Sequence, residues 1–138
     1  MGTATNDART ILVTDDDEIQ RSVLMIALRA RGFTLLEARN GAQAIQIYDQ
    51  HMIDLLVMDV RMPILDGIEA TRRIREKESN RVLHFPIIGV SACAFEQDRE
   101  RALAAGMDEY LVKPVRVSDL TTAVGRYLRG YDEFVQRT

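Results

Sequence analysis

The sequence predicts a single α/β domain in which a doubly wound, five-stranded parallel sheet is covered by helices on both faces. Short apolar runs alternate along the chain with longer segments of helical periodicity, which is the pattern of successive βαβ units. The apolar run at residues 55–58 is continuous rather than alternating, as expected of a strand that is buried on both faces. The 138 residues favour one domain with a sizeable core, and no repeat or linker interrupts them.

Composition and charge are those of an ordinary globular protein, with 46% apolar and 28% charged residues. The net charge of -3 gives no general attraction to nucleic acid or to an anionic membrane, so we expect neither as a direct partner. No apolar run approaches the roughly 20 residues of a membrane span, and residues 1–9 do not have the character of a signal peptide. The single cysteine, Cys93, excludes an internal disulfide and suits a reducing compartment, so a cytoplasmic location is expected.

The first two strands are each followed by a helix. Residues 10–14 form the first strand, which ends abruptly in four consecutive acidic residues. The second strand is predicted at residues 33–38, after Gly32 has ended the first helix. Asn40 can cap the second helix, which turns Ala44, Ile45 and Tyr48 inward. The first helix is amphipathic, because it carries apolar residues at helical spacing: Ile19, Val23, Ile26, Ala27 and Ala30.

The third strand runs through residues 55–58 into Asp59, and Asp66-Gly67 opens the third helix. The outer face of this helix mixes arginines with acidic residues and interleaves no aromatic residue. We therefore interpret that face as solvated rather than as a patch that binds nucleic acid. The opposite face of the third helix carries Ile68, Thr71 and Ile74.

The last two strands are predicted at residues 85–90 and 109–112. The fourth helix lies between them and ends at Gly106, a residue type that commonly terminates helices. Ser118 is expected to cap the last helix, because serine is a favoured residue at helix N-termini. This helix presents one apolar face, formed by Leu120, Val124 and Leu128.

Polar side chains follow four of the predicted strands. Asp15 and Asp16 follow the first, Asp59 ends the third, Ser91 ends the fourth and Lys113 follows the fifth. In a parallel sheet these strand ends lie on one edge, which is where open α/β folds bind ligands. Three carboxylates gathered there would repel one another unless a cation neutralises them, and a small set of oxygen ligands suits Mg²⁺.

The same residue types fit the chemistry of phosphoryl transfer. A metal ion, a hydroxyl and an ammonium group around one aspartate can together neutralise a phosphoryl group in transit. Asp59 is the candidate nucleophile, because carboxylates can form aspartyl phosphates. Each feature alone has an ordinary explanation, since acids favour helix N-termini and serine is common in turns. Such residues gathered at four strand ends favour phosphoryl chemistry.

Four segments resemble those of two-component response-regulator receiver domains. They comprise residues 11–18, 58–67, 87–92 and 106–114, and the likeness extends over residues 9–130. Residues 62–74 are most similar in composition to receivers attached to hybrid histidine kinases. We accordingly expect a receiver domain at residues 10–130, a disordered tail at residues 1–9 and a frayed C-terminal tail over residues 131–138.

The resemblance implies a flavodoxin-like strand order of 2-1-3-4-5 and a set of roles for the residues at the strand ends. Asp59 would accept a phosphoryl group from a histidine kinase or a histidine phosphotransfer domain. Asp16 and Asp59 would ligate Mg²⁺ directly together with the backbone carbonyl of Arg61, and Asp15 would act mainly through metal-bound water. Ser91 would be the switch hydroxyl that contacts the phosphoryl oxygen.

The resemblance also implies how a phosphoryl signal would spread. Lys113 would pair with the phosphoryl charge, with a cis peptide bond before Pro114. Tyr110 would be the switch aromatic, exposed before phosphorylation and turned inward afterwards, so that the surface of the fourth helix, fifth strand and fifth helix changes. Arg61 and Cys93 stand where side chains tune the lifetime of the phosphoryl group. The protein would be a phosphoacceptor that assists its own phosphorylation and dephosphorylation, not an ordinary enzyme.

Other functions fit the sequence less well. A phosphatase of the haloacid-dehalogenase class needs a second aspartate two residues after the nucleophile, and Arg61 stands there. A flavodoxin-like carrier would place a flavin phosphate against the acidic edge, with no glycine-rich loop to hold it. The remaining alternative is a receiver-like interaction module that is not phosphorylated. The output partner is unknown, and either a monomer or a phosphorylation-linked dimer is compatible with the sequence.

Overall fold

The computed structural model describes residues 9–78 and 84–137, with residues 129–137 described by their backbone alone. Five parallel strands form one sheet in the order β2-β1-β3-β4-β5, so the predicted fold class and strand order are confirmed. Each strand coincides, to within a few residues at its ends, with a segment that the sequence predicted. The strands are β1 Thr10–Thr14, β2 Thr34–Ala38, β3 Leu55–Asp59, β4 Ile87–Ser91 and β5 Glu109–Val112.

Five helices connect and follow the strands, and local hydrogen bonds define where three of them begin. They are α1 Glu18–Arg29, α2 Gly41–Gln50, α3 Gly67–Glu78, α4 Glu96–Ala105 and α5 Val117–Arg137. The side chains of Asp17, Asn40 and Asp66 each accept a bond from a backbone N–H in the first turn of α1, α2 and α3. Gly106 ends α4 in the left-handed conformation that glycine adopts without steric cost.

The core lies in two layers, one on each face of the sheet. Side chains alternate along each strand, so β1 turns Leu12 to one face and Ile11 and Val13 to the other. Helices α2, α3 and α4 cover the first face, and helices α1 and α5 cover the second. Every residue of β3 and β4 is buried, as the continuous apolar run of β3 predicted.

Helix α1 does not bury the apolar residues that its sequence spacing singled out. Ile19 and Ile26 are 77% and 64% exposed, and Val23 is also exposed. The helix carries apolar residues around much of its circumference, so spacing alone does not decide which face meets the sheet. The buried face is formed by Arg21, Leu24, Met25 and Leu28.

The last helix also differs from the prediction at both ends. Helix α5 begins at Val117, so Ser118 lies inside its first turn and is not the cap. The N–H of Leu120 bonds the carbonyl of Arg116, 3.0 Å away, which places the first helical bond ahead of Ser118. The backbone stays helical to Arg137, where the sequence had predicted a frayed end. Among the described residues, no helix is both long enough and apolar enough to cross a bilayer.

Candidate functional site

The register of the sheet aligns the strand ends that carry the predicted site. Thr14 of β1 pairs with Met58 of β3, and Asp59 pairs with Val90 of β4, so the first, third and fourth strands end together. Ser91 of β4 pairs with Val112 of β5, which places Lys113 just beyond this edge. The parallel topology thereby gathers residues that are far apart in the sequence.

Three carboxylates meet at this edge. Asp15, Asp16 and Asp59 each offer an oxygen atom, and these atoms all lie within 4.8 Å of one another. Asp15 and Asp59 are buried, whereas Asp16 is exposed, so the cluster opens to solvent on one side. A set of carboxylate oxygens with one open side fits a hard divalent cation such as Mg²⁺, which binds few protein ligands and keeps several waters.

Lys113 lies against the same cluster. Its Nζ is 3.3 Å from Asp15 Oδ2 and 3.3 Å from Asp59 Oδ1. The N–H of Lys113 donates to the carbonyl of Ser91 over 2.8 Å, and the Lys113–Pro114 peptide bond is cis, as the resemblance implied. One ammonium group bridges two of the three carboxylates and leaves the edge with an excess of negative charge.

Burial and that excess charge both act on the protonation of Asp59. Burial, and next the neighbouring Asp15 carboxylate, raises the pKa of Asp59 from 3.8 to about 7, although Lys113 opposes the shift. A cation bound among the carboxylates would favour the ionised form of Asp59. The ionised form is also the one that can act as a nucleophile.

The Asp15 carboxylate is held on both of its oxygen atoms. Its Oδ1 accepts a bond from the backbone N–H of Asp17 at 2.9 Å, and its Oδ2 faces the Lys113 ammonium. The backbone carbonyl of Asp15 accepts a bond from the guanidinium of Arg21 at 2.8 Å. The start of the acidic run is therefore fixed through both its side chain and its backbone.

The two residues predicted as switch elements are connected through the backbone of Cys93. The N–H of Cys93 donates to Ser91 Oγ over 3.1 Å, and the hydroxyl of Tyr110 donates to the carbonyl of Cys93 over 2.7 Å. Ser91 is buried, and because its oxygen accepts this bond, its own proton is available to another acceptor. Tyr110 is only 4% exposed in this structure, which is the inward position, whereas the resemblance implied exposure before phosphorylation.

Comparison with known proteins identifies the family of this chain. The family described as the response regulator receiver domain matches residues 11–125. This chain belongs to the response-regulator receiver family.

Similar proteins include both histidine kinases and response regulators, and two of the kinases illustrate the likeness. Hybrid signal transduction histidine kinase I of Dictyostelium discoideum is 36% identical over 128 residues, which are 89% of this chain but 7% of that kinase. The receiver domain of sensor histidine kinase PA1611 from Pseudomonas aeruginosa, solved with a magnesium ion coordinated in its active-site cleft, is 36% identical with a TM-score of 0.79; the match covers 88% of this chain and 98% of that one.

A receiver from a response regulator is also similar. The Saccharomyces cerevisiae histidine phosphotransfer signaling protein Ypd1 has been solved in complex with the receiver domain of its downstream response regulator Ssk1. A chain of that complex is similar to this chain, with a TM-score of 0.80 and 29% identity. The match covers 87% of this chain and 88% of the other. The likeness to hybrid-kinase receivers is therefore shared with response regulators.

Within this receiver, the loop after β3 carries Arg61 and a close backbone contact. The side chain of Arg61 is exposed, and the role of its carbonyl as a metal ligand stays a prediction. The N–H of Gly67 donates to the carbonyl of Val60 over 2.8 Å, which brings the start of α3 against the end of β3. A Cβ at Gly67 would overlap the carbonyl oxygen of Asp59, so only glycine allows this approach.

Sequence reasoning missed the contribution of Arg21 to the site. Arg21 is buried on α1 and bonds the backbone of Asp15, yet in the sequence it is one basic residue in a helix that has an acidic start. Its contact with the site is to a backbone carbonyl, so no pair of residue types in the sequence signals that contact. A basic residue on the face of an amphipathic helix that meets the sheet would have been the only indication.

Proposed function

We propose that this receiver accepts a phosphoryl group on Asp59 from a phosphohistidine of a histidine kinase or a histidine phosphotransfer protein. The observation that carries the proposal is the environment of Asp59, which lies buried beside Asp15, Asp16 and Lys113 at one sheet edge. A lysine bridging two acidic residues could serve stability alone, but a carboxylate cluster with an open side is suited to binding a cation and a phosphoryl group.

Each residue at the edge has a task in the transfer. A carboxylate oxygen of Asp59 attacks the phosphorus, the P–N bond of the phosphohistidine breaks, and its electron pair returns to the imidazole nitrogen. Lys113 and the hydroxyl of Ser91 hold the oxygens of the transferred group, where their donors offset the negative charge. When bound, Mg²⁺ supplies further positive charge, and Asp16, Asp59 and the carbonyl of Arg61 would hold it, with Asp15 acting through water.

The contacts of Cys93 couple phosphorylation of Asp59 to the surface of the protein. A bond from Ser91 to a phosphoryl oxygen draws the β4–α4 loop toward the site. Cys93 lies in that loop, and its carbonyl accepts the hydrogen bond from the hydroxyl of Tyr110 on β5, so Tyr110 is tied to the position of the loop. We propose that phosphorylation shifts the population toward one packing of the α4, β5 and α5 surface, rather than creating a new fold. The same residues would assist loss of the phosphoryl group.

The wider setting belongs to the same proposal. We propose residues 10–130 as the functional unit, acting in the cytoplasm without direct contact with nucleic acid. A net charge of -3 offers no general electrostatic attraction to phosphate backbones or anionic lipid. The output partner is a protein that reads the α4–β5–α5 surface, with the receiver acting as a monomer or as a phosphorylation-linked dimer.

The test is the intact mass of the protein after incubation with acetyl phosphate and Mg²⁺. We expect one added phosphoryl group, absent from Asp59→Asn and absent when the metal is removed with a chelator. The Asn variant keeps the shape of the side chain and loses its nucleophilic carboxylate. An equal adduct on Asp59→Asn would place the acceptor elsewhere. No adduct and no binding of a beryllofluoride mimic would favour the unphosphorylated interaction module instead.

A further inference from the structure

Arg21 is an unusual residue in the core of this protein, because its side chain is only 4% exposed although it carries a full charge. It lies on the inner face of α1 in the same row as Leu24, Met25 and Leu28. Burying a guanidinium is costly unless its donors are paired, so its hydrogen bonds indicate what the residue is for.

The guanidinium of Arg21 joins three parts of the structure. Its Nη1 donates to the backbone carbonyl of Asp15 over 2.8 Å, and its Nε donates to Glu37 Oε1 on β2 over 2.7 Å. Its Nη2 lies 3.8 Å from Glu18 Oε1 at the start of α1. Glu18 and Glu37 are both largely exposed and can be solvated without Arg21, whereas the bond to the Asp15 carbonyl is buried.

The carbonyl that Arg21 holds belongs to the peptide unit between Asp15 and Asp16. A peptide unit is planar, so holding its oxygen constrains the orientation of the whole unit, and with it the backbone from which the two flanking side chains project. The N–H of Asp15 is bonded to the carbonyl of Ala38 at 3.1 Å, and Oδ1 of Asp15 is bonded to the N–H of Asp17. Arg21 therefore completes the set of bonds that holds Asp15 and the backbone leading into Asp16.

We infer that Arg21 is a positioning residue, which orients the Asp15–Asp16 peptide so that the acidic pair can bind a divalent cation. The inference rests on the proposed function, since it concerns the metal that the proposed phosphoryl transfer requires. Groups that orient ligands without touching the metal commonly change metal affinity about 10–100-fold when they are removed.

The charge of Arg21 and its positioning role predict opposite results. A nearby positive charge repels a cation, so if charge dominated, removing Arg21 would tighten Mg²⁺ binding. If positioning dominates, removing Arg21 weakens binding. The 2.7 Å bond to Glu37 neutralises much of the guanidinium charge, which favours the positioning effect.

The experiment is a calorimetric titration of the full chain with Mg²⁺, after circular dichroism has confirmed that each variant is folded. We expect Arg21→Met to weaken Mg²⁺ binding about tenfold or more. Arg21→Lys should restore part of the affinity, because an ammonium can reach one partner but cannot bridge two as the guanidinium fork does. Lysine keeps the charge and so provides a second variant should methionine at this position prevent folding.

Two control variants separate positioning from general effects. Glu37→Gln keeps the bond to Asp15 but leaves the guanidinium charge without its partner, so any loss of Mg²⁺ affinity in this variant measures the effect of charge and should be smaller than the loss in Arg21→Met. Arg75→Met removes another partly buried arginine, which bonds Gly106, Phe85 and Asp108 near the opposite edge of the sheet. It should lower stability without changing Mg²⁺ affinity.

The possible outcomes distinguish the role of Arg21 from the proposed function. Binding by folded Arg21→Met that equals or exceeds that of the unmodified protein overturns the inference, and so does an equal loss in Arg75→Met. Normal Mg²⁺ binding with neither a phosphoryl adduct nor binding of the beryllofluoride mimic overturns the proposed function and leaves the role of Arg21 intact. An unmodified protein that binds no Mg²⁺ overturns both.

Discussion

Asp59 combines two properties that oppose each other at the scale of a single residue. Burial at the end of β3 holds its carboxylate in one place, which suits a nucleophile, and the same burial disfavours its ionised form. Together with the Asp15 carboxylate, burial raises the pKa of Asp59 to about 7. The burial of this carboxylate therefore lowers the stability of the metal-free protein at a pH where Asp59 is ionised.

That cost predicts how stability depends on pH. The folded pKa of Asp59 lies above its unfolded value, so the folded state binds the proton more tightly than the unfolded state does. Stability from this group is fully present below about pH 4 and is lost as pH rises toward about 7. Asparagine does not ionise, so the Asp59→Asn protein keeps this stability at high pH. Its free energy of unfolding should exceed that of the unmodified protein by roughly 1–3 kcal/mol at pH 8.

Urea denaturation of both proteins in a chelator, from pH 4 to pH 8, measures this difference. The two unfolding free energies should converge at the acidic end, because Asp59 is then protonated in both states. Adding Mg²⁺ should narrow the gap at pH 8, since the ion binds the folded, ionised site of the unmodified protein. Parallel pH profiles for the two proteins would show that Asp59 is not the titrating group.

The site residues differ in how far the sequence could reveal them. Asp15, Asp59, Ser91 and Lys113 were predictable because each stands at a strand end, and parallel strands bring those ends together. Arg21 was not, because its key partner is a backbone carbonyl that only the folded chain brings within reach.

At the scale of elements, strands were easier to predict than helix faces. A strand buried on both sides needs only a continuous apolar run, which β3 has. Helix α1 has apolar residues on two faces, and the choice between them depends on packing against β1 and α5. The end of α5 was also missed, because Gly130 suggests a stop while the backbone continues to Arg137.

Two glycines at helix positions predict opposite effects of the same substitution. A Cβ at Gly67 in the first turn of α3 would overlap the Asp59 carbonyl and stand 2.8 Å from Met58 Cγ. Around Gly125 in α5, no atom of the described residues beyond its own helical turn lies within 4 Å of a Cβ. Gly67→Ala should cost roughly 1–3 kcal/mol, whereas Gly125→Ala should add roughly 0.5–1 kcal/mol because alanine favours helices.

Urea denaturation of the two variants beside the unmodified protein measures the expected loss and the expected gain in the free energy of unfolding in one experiment. Because the clash at Gly67 pushes on the backbone of Asp59, Gly67→Ala should also weaken Mg²⁺ binding, and Gly125→Ala should leave it unchanged. A Gly67→Ala protein with normal stability would mean that α3 does not pack against the end of β3 as closely as described.

At the scale of the whole molecule, the acidic edge lies beside an apolar surface. A groove of about 440 Å³ runs between α1 and the segment after β5, and its walls include Ile19, Val23, Lys113 and Val115. Lys113 belongs both to this groove and to the carboxylate cluster, so the two features are continuous. A protein that brings a phosphohistidine to Asp59 would cover the groove in the same encounter, and its apolar side chains could bury Ile19 and Val23.

We therefore predict that Val23→Asp slows phosphorylation by a protein donor but not phosphorylation by acetyl phosphate. A charge on the groove wall opposes burial of an apolar partner surface, so phosphotransfer from phosphorylated Ypd1, used as a probe, should slow about tenfold or more. Labelling by acetyl phosphate should be unchanged, because Val23 is exposed on the groove wall and does not belong to the carboxylate cluster. Met52→Asp is the matched control, since Met52 is 91% exposed in the loop before β3, at the far edge of the sheet. If transfer from Ypd1 is equally fast in Val23→Asp and Met52→Asp, the donor docks away from α1; if both donors slow in Val23→Asp, the substitution has disturbed the site itself.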